Sequence, residues 1–402
     1  MVAGSCRAEV AKMQSWTGLE ESVVMNLKSS VRSVLVNHYN GIESRRAIKS
    51  SRAFTGFTRT FAGALLISAA PVLVAGPSAM AGAEAVIVPQ ARMGQPLPGL
   101  TTPQLAAFDL GKIRYMRVFN AGEGLGPVFN KSSCGNCHSN PIGGTGAQTV
   151  TRFGRATKDG FDPLSEFGGS LLQVSSSGVC FEDIPPEADI ITLRVTNGAL
   201  AYGLVEAIPD AALEANETSP PHAAVSGRVH WVERLEDNGT PQEGTLYAGR
   251  FGWKAQVNSV LTFSADALLM EVGITNDLVL SENDPNGIRP PSLRGPDFCD
   301  TVADPEDNYA LGNGSTKKYI HVITDFQRYL APPPQTPKSG MSGEALFNSP
   351  ALHCNACHVK TFTTSNDAGL ETAIRNKVIT PYSDWLLHHM GAYGDGIGQG
   401  DA

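Results

Sequence analysis

Apolar residues recur at helical spacing in several stretches of this chain. In residues 102–119, Leu105, Phe108, Leu110, Ile113, Met116 and Phe119 fall near one helix face, which predicts an amphipathic helix. Residues 209–215, 260–271 and 317–330 read as further helices, the last stopped by Pro332-Pro333-Pro334. Residues 342–347 read as a short one. Thr192-Leu193-Arg194-Val195 and residues 244–251 carry the residue types of strands. A polar, Pro-rich stretch over 276–308 predicts an extended connection, and 331–340 a stiff linker. The expected class is mainly α with β insertions.

The N-terminal pattern is different. Arg45, Arg46, Lys49, Arg52 and Arg59 form a basic stretch without acids, an apolar run covers 61–75, and Ala79-Met80-Ala81 has the small-x-small form of a cleavage site. That order predicts a secretory signal removed after Ala81, hence a periplasmic or otherwise exported protein. Ser68 and Pro71 interrupt the run, which is too short for a transmembrane helix. Contact with a membrane is therefore expected only through the signal, with an uncleaved anchor as the alternative. A signal should begin near its basic region, so the residues before 45 read as a mis-started leader, the true start lying further in, for example at Met25. Residues 1–81 are set aside as leader plus signal.

They hold 9 Lys and Arg against 4 Asp and Glu, so their removal takes the net charge from −8 to about −13. An acidic chain is a poor binder of phosphate backbones, which excludes a nucleic-acid partner. It suits a small basic redox protein steered by charge.

Two copies of Cys-x-x-Cys-His supply the chemistry: Cys134-Gly-Asn-Cys137-His138 and Cys354-Asn-Ala-Cys357-His358. The pattern is the attachment site of a c-type haem. Two thiols three residues apart reach two vinyl groups on one porphyrin edge, and the adjacent histidine supplies the iron's proximal nitrogen. Two covalently bound haem c groups are expected. A thioredoxin-type dithiol would leave each histidine without a role, and one zinc site with four thiolates would have to join distant segments. Cys180 and Cys299 remain outside the motifs as an even pair, a candidate disulfide in an oxidising compartment. Arg152 and Arg250 are candidate propionate ligands, because a guanidinium forks onto a carboxylate.

Several stretches resemble the di-haem oxidoreductase (putative peroxidase) family, also labelled "thiol oxidoreductase". They are Gly124-Leu-Gly-Pro-Val-Phe-Asn130 leading into Ser133 and the first motif, Thr151-Arg-Phe-Gly154, Gly203-Leu-Val-Glu-Ala-Ile-Pro209, Gly249-Arg-Phe-Gly-Trp-Lys-Ala255 and Pro381-Tyr-Ser-Asp-Trp-Leu-Leu-His388 with Met390-Gly391. That family is related to bacterial di-haem cytochrome c peroxidases and MauG-type enzymes. The resemblance implies two cytochrome c-like haem domains, placed at 82–330 with a long strand-containing insertion and at 341–402. It implies a longer C-terminus than this chain has, so the second domain is expected to be incomplete. It makes Glu271 the candidate acid–base residue, Trp253 a candidate electron bridge between haems, and His388 a candidate iron ligand beside His138 and His358. Glu271 as a solvated helix end, Trp253 as a core aromatic and His388 as a hydrogen-bonding residue are the plain alternatives.

The implied activity is peroxidase-like: one haem takes electrons from a small donor protein of cytochrome c or cupredoxin type, and the other reduces peroxide or a related small oxidant. The competing reading, a non-catalytic di-haem electron carrier, needs the same motifs and differs only at the sixth iron positions.

Overall fold

The structure is a computed structural model that describes residues 90–398 except 147, 179, 219–224, 226, 236–243, 288–298, 301, 305–307, 311–315 and 336–341. The expected leader and signal, residues 1–81, lie outside the described residues.

Three helices form the framework: α1 (Thr102–Tyr115), α2 (Val260–Val272) and α3 (Tyr319–Tyr329). Each follows from local chemistry. The Gln104 side chain accepts the otherwise unpaired N–H of Thr101 at 2.8 Å, closing the start of α1. Ser259 Oγ accepts from Thr262 N at 3.1 Å, and Gly273 at φ 66° ends α2 in the left-handed region. Arg328 lies in the last turn of α3, which stops before the proline triplet.

The helices pack through aromatic and branched side chains. Phe326 of α3 is fully buried, with ring centroids 5.2 Å from Phe108 and 4.9 Å from Tyr115 on α1. Leu268 and Val272 of α2 complete the same core. Close approach of α1 and α3 depends on Gly111, where an added Cβ would lie 2.5 Å from Val322 O and 2.7 Å from Phe326 Cβ.

Strands are short and scattered. Among the described residues they form six sheets, five of them two-stranded. The sixth orders β1 (Thr149–Thr157) between β2 (Gly160–Asp162) and β3 (Ile190–Val195), all antiparallel, with Arg152 opposite Thr192 and Thr149 opposite Val195. β1 was not foreseen, although Val150, Thr151 and Phe153 have the right residue types. Of the strand expected over 244–251, Tyr247–Ala248 pairs with Trp231–Val232 and Phe251 makes an isolated bridge with Val257.

The expected mainly α, cytochrome c-like class is therefore incorrect. Among the described residues helix accounts for about 28% and strand for about 18%, spread over these small sheets. The reason is local. Each Cys-x-x-Cys segment yields one helical turn, Cys134–Cys137 and Cys354–Ala356. After the second, the described chain holds only the short strands Phe362–Thr363, Val378–Ile379 and Leu387–His388 and a 3-10 turn, Gly391–Tyr393.

Residues following the proline triplet pack onto the same core. Ile374 is fully buried in it, Arg328 pairs with Glu371 at 2.9 Å, and Leu387–His388 pairs with Gly227–Arg228. Arg194 meets Asp395 at 2.6 Å. Cys180 and Cys299 form a disulfide, which joins segments 119 residues apart. No described helix is long and apolar enough to cross a membrane.

Gly111→Ala should lower stability despite alanine's better helix propensity, because the methyl has only helix α3 to displace. Overpacking of this kind costs about 1–3 kcal/mol against roughly 1 kcal/mol of propensity gain. A urea denaturation midpoint at or above that of the parent protein would show that α1 and α3 can part without loss.

Candidate functional site

The first motif is held from both sides. Ser133 caps its single turn, accepting from Gly135 N at 3.1 Å. Gly135 faces the Met116 sulfur so closely that an added Cβ would require the methionine side chain to move. His138 N donates to Cys134 O at 3.0 Å, and His138 Nδ1 donates to Gly144 O at 2.7 Å, which fixes the tautomer and leaves Nε2 unengaged. Burial lowers the imidazole pKa, favouring the neutral, ligating form.

Different surrounding sequence rebuilds the same arrangement at the second motif. His358 N donates to Cys354 O at 3.0 Å, and His358 Nδ1 donates to Tyr382 O at 2.9 Å. Phe347 packs beside His358, its ring centroid 6.1 Å away, and against Tyr382 at 5.3 Å.

All four motif cysteines are free thiols, unlike Cys180 and Cys299. Burial pushes the Cys134 thiol up to about 12, so it carries no thiolate for dithiol exchange at neutral pH. Among the described residues no group of three or more His, Cys, Asp or Glu side chains converges on a metal position, which removes the four-thiolate zinc alternative. A thiol pair followed by a histidine whose Nδ1–H is held by a backbone carbonyl fits a haem at each motif. Nδ1–H held by a backbone carbonyl is the usual way to orient such a ligand.

Glu271 lies beside the first motif. It sits in the last turn of α2, and its charge adds to burial in raising the Cys137 thiol. Asn130 Nδ2 donates to Glu271 Oε2 at 2.7 Å. The Glu271 carbonyl accepts from Asn130 N at 2.9 Å and Lys131 N at 3.0 Å, stitching the approach to the motif onto the helix. Burial raises the Glu271 carboxyl, opposed first by the Asn130 amide and then by Arg152. Arg152, on β1, donates from Nη1 to Ser170 Oγ at 3.2 Å, while its buried Nε has no hydrogen-bond partner. An anionic group such as a propionate suits that nitrogen. Asp266 faces Arg152 too. It keeps exposed surface, yet the protein around it pushes its carboxyl above the usual range.

The structure thus gathers Cys137, Arg152 and Glu271, and adds Asn130 and Asp266, which the sequence did not single out. Asn130 closes one of the stretches that carry the family resemblance and has no local signal of its own. Asp266 and Glu271 are five residues apart, which is no helical repeat.

Three other candidates are placed elsewhere. Arg250 is buried and spends its N–H groups on the fold: Nε on Ala248 O, Nη1 on Val205 O, Glu206 O and Ile208 O, Nη2 on Asp210 and Ala248 O. No donor remains for a propionate, so Arg250 is a packing hub. Trp253 is 52% exposed rather than a core aromatic, and its Nε1 donates to Val195 O at 3.0 Å at the end of β3. His388 Nε2 donates to the buried Asp384 at 2.8 Å, so that nitrogen is already committed. Asp384 in turn raises the Cys357 thiol, which places the Asp384–His388 pair near the second motif.

A family model described as "Di-haem oxidoreductase, putative peroxidase" matches residues 186–402, more than half of the chain. The match contains the second motif, Glu271 and His388, and begins after the first motif. No curated protein and no solved structure matches.

Arg250→Lys should destabilise the protein by about 3 kcal/mol or more, because one ammonium cannot reach acceptors arranged for a planar fork and several would be left buried and unpaired. A chemical denaturation curve superimposable on the parent's would refute the hub assignment.

Proposed function

The chain belongs to the di-haem oxidoreductase family, and we propose that it is an exported enzyme with two covalently bound haem c groups and peroxidase-like chemistry. The observation that carries this reading is the repetition at both motifs of one pair of hydrogen bonds: histidine N–H to the first cysteine's carbonyl, and Nδ1–H to a distant carbonyl. Cys134, Cys137 and His138 hold one haem; Cys354, Cys357 and His358 hold the other. When bound, such a group supplies one-electron redox chemistry and, with an open sixth position, a site for peroxide.

The protein's own part at the first site is proton handling. Reduction of peroxide to two waters consumes two electrons and two protons. Glu271 takes the proton from the inner peroxide oxygen and returns it to the outer one, which becomes the leaving water. Burial raises its carboxyl, and the Asn130 amide and then the Arg152 charge oppose that rise. The buried Arg152 Nε receives a propionate. The second site, without this cluster, takes electrons from a small basic donor protein of cytochrome c or cupredoxin type, and Trp253 is retained as the bridge residue. The Cys180–Cys299 disulfide favours an oxidising, periplasm-like compartment.

Two measurements test the reading. Cys134→Ala combined with Cys137→Ala should leave one covalent haem per chain in an alkaline pyridine assay; two would refute the first attachment site. Glu271→Gln should slow peroxide turnover about a hundredfold or more while leaving the resting spectrum intact. Unchanged turnover would dismiss Glu271, and no peroxide reaction in the parent protein would favour the electron-carrier reading.

A further inference from the structure

This inference rests on the acid–base reading of Glu271. We infer that Asn130 is the positioning residue for that carboxylate: it holds Oε2 and leaves Oε1 as the oxygen that exchanges protons.

The geometry fixes which way the amide points. Val174 N donates to Asn130 Oδ1 at 3.2 Å, so the oxygen end is taken by a backbone N–H and the NH₂ end must face Glu271 Oε2, 2.7 Å away. Asn130 is only 5% exposed, and a buried amide does not rotate freely when both ends are bonded. Its backbone N–H adds a bond to Glu271 O at 2.9 Å. One residue therefore grips both the carboxyl and the carbonyl of Glu271.

The segment behind Asn130 is anchored to the same helix. Gln173 Nε2 donates to Met270 O at 3.1 Å, and Gln173 N donates to the buried Glu182 carboxylate at 2.6 Å. Val174 is thus held relative to the last turn of α2, and Asn130 is clamped between two fixed points. Oε1 of Glu271 has no hydrogen bond among the described residues. Aspartate at 130 would set two carboxylates against each other, and alanine would leave Oε2 without a donor.

Arg152 from β1, Asp266 from the same helix and Cys137 of the motif are the charged or titratable groups around Glu271. Asn130 is the largest influence opposing the upward effect of burial on its carboxyl. The sign follows: removing the amide donor favours the protonated form, so the Glu271 midpoint moves up in pH.

The test uses the haem-loaded protein and the variants Asn130→Asp, Asn130→Ala, Glu271→Gln and both double combinations. The Glu271 carboxyl stretch, isolated by infrared difference against Glu271→Gln, is titrated in each. Asn130→Asp keeps the acceptor for Val174 N and the side-chain volume, so it serves if the alanine variant does not fold. The midpoint should rise by about one to two pH units, the worth of one hydrogen bond to a charged group. The acid limb of kcat should rise with it, KM should stay constant, and adding the change to Glu271→Gln should cost no further rate. A midpoint that does not move, or an equal rate loss in the Glu271→Gln background, overturns the proposal. Wild-type turnover by Glu271→Gln alone would instead defeat the acid–base reading, and the infrared titration would still decide whether Asn130 holds the carboxylate.

Discussion

The junction between the end of α2 and the strand that leads into the first motif is the constraint on which the site depends. Gly126 N donates to Gly273 O, and Asn130 N and Lys131 N both donate to Glu271 O. The last carbonyls of a helix have no partner within it. Here they are satisfied by the incoming chain, so the helix end, the glycine that terminates it and the approach to Cys134 form one unit. The core secures the other side of α2 through Leu268 and Val272 against α3. A rigid helix thus delivers a carboxylate to a loop-borne motif, and such support is what proton transfer at a fixed distance requires.

The two motifs show how much a fold can vary around one local requirement. A thiol pair and a histidine need a turn of backbone and a carbonyl to orient the imidazole. Gly144 supplies that carbonyl six residues on in the first case, and Tyr382 supplies it 24 residues on in the second. The flanking architecture need not be helical, and the cytochrome c-like helices that the family resemblance implied are not built here. The charged residues differ as well. Glu271 stands beside the first motif with Arg152 and Asp266 around it, whereas the second has Asp384 tied to His388. The two motifs therefore sit in unequal electrostatic surroundings.

Arginine roles were the hardest to read from sequence. Arg152 and Arg250 both sit within stretches that carry the family resemblance, and both have the chemistry to bind a carboxylate. Their difference is one of surroundings. Arg250 is encircled by the carbonyls of Val205, Glu206, Ile208 and Ala248 and paired with the Asp210 carboxylate, so its donors and its charge are both taken up by the fold. Arg152 lies on a strand whose backbone is already paired with Ile190–Val195, which leaves fewer local acceptors and an Nε with none.

What the sequence determined on its own was whatever depends on covalent neighbours. The Cys-x-x-Cys-His spacing, the helices expected over 102–119, 260–271 and 317–330 and found over 102–115, 260–272 and 319–329, and the stop at the proline triplet are of this kind, because helix caps, apolar periodicity and proline act within a few residues. What only the tertiary structure decided was which distant groups meet. The pairing of Cys180 with Cys299, the seat of Glu271 beside Cys137 and the grip of Asn130 on that carboxylate each join residues more than a hundred positions apart. Nothing local encodes such encounters, since they follow from how helices and strands pack and from which buried polar atoms must find a partner.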